Sequence, residues 1–231
     1  MSDRFWAVVP AAGAGKRMAS EQPKQYLQLC GRRVIEHSLD RLLSHAEIRG
    51  VYLALSPGDE WWAETAFAGD ARVVLVNGGA ERCYSVLNAL NLLLEHADGQ
   101  DWVLVHDAAR PCLREEDLDR LIACLRDDAV GGLLGVPVHD TVKQVNESSR
   151  VEVTVPRDRL WRAYTPQMFR LGPLHKALAD ALQRGLLVTD DASAMELAGH
   201  QPKMVEGHAD NIKITQAHDL PLAEFYLTTR E

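Results

Sequence analysis

The chain has 231 residues, of which 46% are hydrophobic and 25% charged, and this is enough to bury the core of one domain. Its formal net charge of -8 argues against a protein that coats nucleic acid or an anionic membrane, because either partner would be repelled by the average surface. An anionic ligand must therefore meet a local cluster of basic residues.

Short apolar runs recur along the first 140 residues. They cover 5–10, 51–55, 72–76, 102–106 and 131–138, they are rich in Val, and they are bounded by Gly, Pro, Asp or Asn. Such runs are typical of strands buried on both faces of a parallel sheet. Residues at helical spacing lie between them, at 35–46 and 86–94. The alternation predicts an α/β fold, a three-layer α/β/α sandwich with a mostly parallel sheet.

The pattern changes after Asp140. The stretch "DTVKQVNESSRVEVTVP" alternates Val with polar residues on either side of "NESS", which predicts an exposed β-hairpin, an arm at about 139–158. A two-stranded arm alone is marginal in water, so we expect it to pack on a second subunit. Helices are predicted again at 173–184, 190–198 and about 216–227, with a short strand at 203–207. We interpret residues 1–231 as a single domain.

The cysteines and the N-terminus indicate a compartment. Cys30, Cys83, Cys112 and Cys124 lie far apart and form no zinc-ligand pattern with His, as is typical of reduced thiols in the cytosol. The first residues, "MSDRFW", lack the features of a secretory signal, and no stretch approaches the roughly eighteen apolar residues of a membrane span. We therefore expect a cytoplasmic protein with no membrane or nucleic-acid partner.

The loop after the first predicted strand has little side-chain bulk. Its backbone N–H groups are free to point at phosphate oxygens, and it contains Pro10, Ala11, Ala12, Gly13, Ala14 and Gly15. The glycines match neither the dinucleotide fingerprint nor a Walker loop, and a plain βα turn would explain them equally well. Lys16, Arg17 and Lys24 favour a triphosphate site, because three cations so close to a strand end exceed what a turn requires.

Two further strand ends bear candidate residues. In "NGGAERCYSV", Gly78 and Gly79 allow close backbone approach and Ser85 offers a hydroxyl to a base edge, although a plain turn is an equal alternative. In "VLVHDAARPCL", Asp107 could hold Mg²⁺ directly or through water, while an ion pair between Asp107 and Arg110 is a compatible alternative. The histidines, among them His106, His139 and His208, are expected to be satisfied or solvent-facing, since none has a partner at metal-ligand spacing.

Six motifs stand in order over nearly the whole chain. They are "PAAGAGKRM…PKQY", "GGAERCYSV", "VHDAARP", "TPQMF", "TDDASAMELAG" and "EGHADNIKIT". Together they resemble the 2-C-methyl-D-erythritol 4-phosphate cytidylyltransferase family of the non-mevalonate isoprenoid pathway. The resemblance implies a Rossmann-like nucleotidyltransferase fold, a homodimer built through the arm, and transfer of CMP from CTP to methylerythritol phosphate with release of pyrophosphate. It also implies Mg²⁺ as the cofactor of the triphosphate.

The resemblance assigns roles to residues of this sequence. The catalytic basic residues would be Arg17 and Lys24 at the α-phosphate, with Arg157 and Lys213 positioning the methylerythritol phosphate. Thr141, Thr165, Thr189 and Arg110 would also bind that substrate, with Thr141 and Arg157 reaching into the partner's site. The nucleotide would be bound by residues 10–15 and by Gly79, Ala80, Arg82, Ser85, Asp107 and Ala108.

One position departs from the family pattern, because Ala80 stands where some relatives have Asp. CTP preference would then depend on backbone groups and Ser85. The proposed nucleophile is a phosphate monoester with a second pKa near 6, so it needs no general base. Two alternatives remain open at this point: a cytidylyltransferase for another polyol phosphate such as ribitol 5-phosphate, and a nucleotide-binding regulator that would release no pyrophosphate.

Overall fold

A seven-stranded sheet forms the middle layer of the structure, a computed structural model that describes residues 4–13 and 22–229. The strands are β1 (Phe5–Pro10), β2 (Gln28–Leu29), β3 (Arg32–Arg33), β4 (Ile48–Leu55), β5 (Val73–Asn77), β6 (Trp102–Val105), β7 (Gly131–Pro137), β8 (Val142–Val145), β9 (Val151–Val155), β10 (Trp161–Arg170) and β11 (Lys203–Glu206). The helices are α1 (Val34–Ser44), α2 (Arg82–Leu94), α3 (Glu115–Leu125), α4 (Leu171–Gln183), α5 (Asp191–Leu197) and α6 (Asp219–Thr228), with short 3₁₀ turns at Lys24–Tyr26 and Trp62–Glu64.

The main sheet has the strand order β11-β7-β10-β6-β1-β4-β5. Neighbouring strands are parallel except at β10, which is antiparallel to both β6 and β7. The predicted mostly parallel sheet is therefore confirmed. The interior antiparallel strand was not predicted, and neither was α3, although its apolar residues keep helical spacing from Leu118 to Leu125.

Alternation along β1 explains the three layers. Phe5, Ala7 and Val9 belong to a core shared with α1 and α3, whereas Val8 belongs to a second core shared with α2, α4 and α5. Because successive side chains of a strand point to opposite faces, the buried residues of this strand supply both cores at once. A smaller cluster beneath α6 includes Ile214.

The predicted arm is present as a separate two-stranded antiparallel sheet made of β8 and β9. Three of its valines are exposed to a degree unusual for apolar side chains, namely Val145 at 49%, Val151 at 61% and Val153 at 48%. The arm therefore presents an apolar surface to its surroundings.

Several smaller expectations can be compared with the structure. Asp190 caps α5, the helix predicted at 190–198, with its carboxylate accepting from the Ser193 N–H at 2.9 Å. None of the four cysteines, all of which lie in the described residues, forms a disulfide, and Cys83 and Cys112 are buried. Within residues 4–13 and 22–229, no helix has both the length and the apolar character needed to cross a membrane.

Candidate active site

The candidate site lies where the carboxyl ends of three parallel strands meet. β1 connects outward through β4 to β5, whereas β6 lies on the other side of β1, and this reversal opens a crevice at the strand ends. The crevice holds a cavity of about 510 Å³. Its described lining is Pro10, Ala11, Ala12, Gly13, Lys24, Gln25, Gly79, Ala80, Glu81, Arg82, Ser85, Asp107, Ala108, Ala109, Lys213 and Thr215. The structure therefore brings together most of the predicted nucleotide-binding residues.

Close backbone packing explains the two glycines after β5. A Cβ on Gly78 would lie 2.3 Å from the Cβ of Ala12, and one on Gly79 would lie 2.3 Å from the Cβ of Tyr84. A side chain at Gly78 would clash with the loop after β1, and one at Gly79 would clash with the first turn of α2, so either would change the shape of the cavity. The glycine pair is therefore required by close packing on both sides of this loop, beyond the needs of a plain turn.

The Ser85 hydroxyl holds this loop to the start of α2. Its oxygen accepts from the Gly79 N–H at 3.0 Å, and its hydrogen is donated to the Glu81 carbonyl at 3.3 Å. Ser85 itself is buried. Its hydroxyl therefore fixes the loop geometry, and its contact with a base stays a prediction.

Two of the predicted basic residues reach the cavity from opposite ends of the chain. Lys24 begins the 3₁₀ turn at Lys24–Tyr26, and its Nζ donates to the carbonyl of Ile214 at 2.9 Å. The next residue back, Lys213, contacts Asp107 through its Nζ at 2.8 Å. Both lysines line the same cavity. Arg17, with Ala14, Gly15 and Lys16, lies outside the described residues.

Asp107 is the centre of a buried charge network. Its Oδ1 accepts from Arg82 Nε at 2.9 Å, and its Oδ2 lies 2.8 Å from Lys213 Nζ and 3.6 Å from Arg110 Nε. Arg82 also pairs with the fully buried Asp191 at 2.8 Å. Burial alone would raise the pKa of Asp107, but the charges of Arg82, Lys213 and Arg110 outweigh it and hold this pKa well below its ordinary value. The ion pair between Asp107 and Arg110, the alternative considered from the sequence, is present.

A second, smaller cavity of about 200 Å³ shares this charged wall. Its lining is Arg82, Asp107, Arg110, Ala163, Tyr164, Thr165, Gln167, Thr189, Asp190 and Lys213. Four of the predicted substrate-binding residues thus lie together: Arg110, Thr165, Thr189 and Lys213. Among the described residues, Thr141 and Arg157 line neither cavity, because they lie exposed beside the arm strands.

Four residues of the second cavity were not predicted as site residues, namely Ala163, Tyr164, Gln167 and Asp190. Tyr164 lies under the Arg110 guanidinium, with 4.7 Å between the guanidinium carbon and the ring centre. Gln167 donates to Asp190 at 2.9 Å and accepts from the Ala192 N–H at 2.7 Å, so it joins β10 to the start of α5. The available signal in the sequence was the pair of family motifs, "TPQMF", which contains Gln167, and "TDDASAMELAG", which contains Asp190. The periodicity of strands and helices alone marks neither Tyr164 nor Gln167.

Comparison with known proteins identifies the family. The family model described as IspD, 2-C-methyl-D-erythritol 4-phosphate cytidylyltransferase, matches residues 5–229. A protein of that name from Hahella chejuensis is 56% identical over 224 residues, which are 97% of this chain and 93% of its own. The chain belongs to the 2-C-methyl-D-erythritol 4-phosphate cytidylyltransferase family.

Solved structures similar to this one agree with that family. A crystal structure described as 4-diphosphocytidyl-2C-methyl-D-erythritol synthase has a TM-score of 0.85 at 37% identity, covering 98% of this chain and 99% of the other. The Francisella tularensis 2-C-methyl-D-erythritol 4-phosphate cytidylyltransferase has a TM-score of 0.84 at 35% identity, with 97% and 100% coverage. The predicted α/β nucleotidyltransferase fold of this cytidylyltransferase is therefore confirmed.

Within residues 4–13 and 22–229, the acidic groups do not fit a metal ion held by the protein alone. Both carboxylate oxygens of Asp107, the predicted metal candidate, already contact basic side chains. In the part of the chain that the structure describes, no group of three or more His, Cys, Asp and Glu residues could hold a metal. A direct protein ligand set for Mg²⁺ is therefore missing from the described residues.

The histidines of this cytidylyltransferase are satisfied or exposed, as predicted. His106 is fully buried with both ring nitrogens in contact with hydrogen-bond partners. His208 contacts the buried carboxylate of Asp117 at 2.8 Å, and His139 is exposed. None of these rings lines either cavity among the described residues.

Proposed function

We propose that this chain transfers the cytidylyl group of CTP to 2-C-methyl-D-erythritol 4-phosphate and releases pyrophosphate. The observation that carries the proposal is the pair of adjoining cavities with a shared wall of Arg82, Asp107 and Lys213. Two substrates that react with each other must bind side by side, and both of these substrates are anions. Family membership supplies the identity of the two reactants.

The larger cavity is assigned to CTP. Its glycine-rich loops permit backbone approach, and Lys24 with Lys213 supplies fixed positive charge. The smaller cavity is assigned to the polyol phosphate, because Thr165, Thr189 and Asp190 offer hydrogen-bonding groups there. Lys213 lines both cavities, so it is placed to contact the phosphate that attacks and the phosphate that is attacked.

The chemistry requires charge and positioning more than proton transfer. A phosphate monoester has a second pKa near 6, so it is largely a dianion at neutral pH. One of its oxygens forms a bond to the α-phosphorus of CTP, while the bond from that phosphorus to the oxygen bridging to the β-phosphate breaks and pyrophosphate leaves with the electron pair. Negative charge gathers at the α-phosphate, and Lys24, Lys213 and Arg17 are the residues proposed to stabilise it.

Mg²⁺ is proposed to enter with CTP, held chiefly by the triphosphate oxygens. Such an ion neutralises phosphate charge and fixes the triphosphate conformation. The pairing of Asp107 with three basic side chains disfavours it as a direct ligand, so contact through water is the arrangement consistent with its surroundings.

The functional unit is proposed to be a homodimer formed through the arm. The exposed valines Val145, Val151 and Val153 support this, since a two-stranded ribbon with apolar side chains is marginal in water. Thr141 and Arg157 lie beside the arm strands, and we place them in the partner's second cavity. The free thiols fit a reducing compartment, and we place the enzyme in the cytoplasm.

Substrate turnover tests the proposal directly. The purified protein is incubated with CTP, Mg²⁺ and either 2-C-methyl-D-erythritol 4-phosphate or ribitol 5-phosphate, and pyrophosphate is measured. We expect pyrophosphate with the first substrate alone. Turnover of ribitol 5-phosphate alone would reject the substrate, and binding of CTP with no pyrophosphate from either would reject the reaction.

A further inference from the structure

His106 lies fully buried directly after β6, and its ring connects two sides of the second cavity. Its Nε2 is 3.1 Å from the carbonyl oxygen of Arg110, and its Nδ1 is 3.0 Å from the Thr165 hydroxyl. The same hydroxyl oxygen accepts from the Asp107 N–H at 3.1 Å. The ring thus contacts two residues that line the second cavity, Arg110 and Thr165.

The partners determine the tautomer of this ring. A carbonyl oxygen can only accept, so Nε2 must bear the hydrogen that points at Arg110. In the neutral ring Nδ1 then has a lone pair, and the Thr165 hydroxyl must donate its hydrogen to it. Burial lowers the pKa of His106 to about 4, which agrees with a neutral ring. Each donor in this chain of contacts therefore has one acceptor.

We propose that His106 is a positioning residue for the second substrate: it fixes the Thr165 hydroxyl through Nδ1 and the Arg110 backbone through Nε2–H. The inference rests on the assignment of the second cavity to the polyol phosphate. His106 is fully buried and lines neither cavity, so we do not place it in contact with a reacting atom. It acts through Thr165 and Arg110, whose positions determine the shape of that cavity.

Two substitutions separate the two contacts of the ring. In His106→Asn, the amide oxygen lies near the former Nδ1 position and can still accept from Thr165, while the contact with the Arg110 carbonyl is lost. In His106→Gln, the longer amide reaches the former Nε2 position and can still donate to Arg110, while the Thr165 hydroxyl loses its acceptor. Each variant thus serves as the matched control for the other.

Steady-state kinetics test the proposal with both substrates. We expect His106→Gln to raise the KM for methylerythritol phosphate about tenfold, the loss of roughly one hydrogen bond, while the KM for CTP changes by less than about twofold. In a Thr165→Val background, where the hydroxyl is already gone, His106→Gln should change that KM by less than about twofold. His106→Asn, which spares the Thr165 contact, should change that KM by the same factor in this background as in wild type. An equal effect of His106→Gln in both backgrounds, or equal rises in both KM values, would overturn the proposal.

A spectroscopic measurement covers the case in which the variants do not fold. In wild-type protein labelled with ¹⁵N-histidine, we expect one slowly exchanging ring to be the Nε2–H tautomer, assigned to His106 by its contacts with residues near Arg110. An Nδ1–H tautomer for that ring would reject the inference whatever the kinetics show. If wild-type protein fails to turn over methylerythritol phosphate, the proposed function fails, and the tautomer measurement still decides whether the ring holds the Thr165 hydroxyl and the Arg110 carbonyl as described.

Discussion

The two cavities differ in how much of their predicted lining one chain supplies. The first draws on loops after β1, β5 and β6 together with Lys24 and Lys213, and the described residues surround it within one chain. The second shares the Asp107 wall, but Thr141 and Arg157, two of its predicted substrate contacts, lie exposed beside the arm. A nucleotide site can therefore be built by a monomer, whereas the second site as predicted needs another copy.

This difference has a physical origin in the fold. The ends of parallel strands meet at one edge of the sheet, so consecutive loops converge without help from another chain. The arm instead leaves the sheet between β7 and β10 and pairs only with itself in the described structure. Thr141 and Arg157 beside the arm line neither cavity among the described residues, and the proposal therefore places them in a cavity of the partner.

The largest expected effect comes from removing a lysine of the first cavity. Lys24→Ala should lower kcat/KM by about 10² to 10³, because it deletes fixed positive charge at the site of developing negative charge. Since Lys24 lines only the first cavity, the KM for methylerythritol phosphate should stay nearly unchanged. Lys213→Ala should raise that KM as well, because Lys213 lines both cavities.

The matched control is Lys176→Ala, which removes a lysine whose side chain is 77% exposed on α4. It should leave turnover unchanged, since an exposed ion pair contributes little. Circular dichroism and urea unfolding would verify that Lys24→Ala folds. Turnover of Lys24→Ala close to that of Lys176→Ala would remove the basis for assigning the first cavity to CTP.

Mixing of two variant subunits tests whether the second cavity needs residues of another copy of the chain. Arg157→Ala alone should lower kcat/KM by about 10- to 100-fold, the loss of one charge-assisted contact. If Arg157 acts in the partner's site, a refolded 1:1 mixture of Arg157→Ala with Lys24→Ala should regain about a quarter of wild-type activity, because half of randomly paired dimers have one intact site.

The control for mixing is the pair Lys24→Ala and Lys213→Ala. Both lysines line the first cavity of the same chain, so every site in the mixed dimer retains one defect and no activity should return. Recovery in this control, or none in the Arg157 mixture despite measured heterodimer, would mean that each site is contained within one chain.

Local sequence patterns also separate the strands that could be predicted from the one that could not. The parallel strands were predicted because each is a short Val-rich run bounded by turn residues. β10 was missed because Pro166 argues against a central strand, since proline gives no N–H to its neighbours. In the structure, the pairing of β10 with β7 shifts register between Ala163 and Gln167, which accommodates the proline. Only the tertiary pairing reveals that strand.

The site residues likewise divide into those marked by a local pattern and those placed by tertiary contacts. Gly79 and Asp107 stand just after strands, and Ser85 lies in the first turn of the helix that follows β5. Loops at these strand ends converge in an α/β fold, so the three residues were found from position alone. Lys213 lies in an irregular segment, and its place was implied only by the family resemblance. Its arrival beside Asp107 depends on contacts that no local pattern contains.

A smaller loss of activity is expected on substitution of Asp219, which anchors the segment after Lys213 to α6. The Asp219 carboxylate at the start of α6 accepts from the Thr215 N–H at 2.7 Å and the Gln216 N–H at 2.8 Å. Asp219→Ala should destabilise the protein by about 1 to 2 kcal/mol and lower kcat/KM about fivefold. Because Lys213 serves both cavities, the KM values for both substrates should change together. Glu224→Ala, an exposed carboxylate on the same helix, is the control and should do neither.

The pH dependence of this anchor has a definite sign. Partial burial alone would raise the pKa of Asp219, but hydrogen bonds from Thr215 and Gln216 outweigh it and lower the pKa. The stabilisation is therefore complete above the ordinary value of 3.8 and is lost as pH falls through the lower folded value. Urea unfolding should give a difference in the free energy of unfolding between wild type and Asp219→Ala. This difference should be constant around neutral pH and should narrow below about pH 4. A difference in the free energy of unfolding that grows on acidification would contradict the stabilising role of the Asp219 carboxylate.

The smallest expected effect is confined to the first cavity. Ser85→Ala removes the hydroxyl that accepts from the Gly79 N–H, so the loop after β5 should loosen without moving the second cavity. The loss of one neutral hydrogen bond predicts a rise of about threefold in the KM for CTP, with the KM for methylerythritol phosphate unchanged. Ser85→Thr keeps the hydroxyl and is the matched control. If Ser85→Ala raised both KM values equally, the two cavities would respond as one unit, and their separation into a nucleotide site and a polyol phosphate site would have to be abandoned.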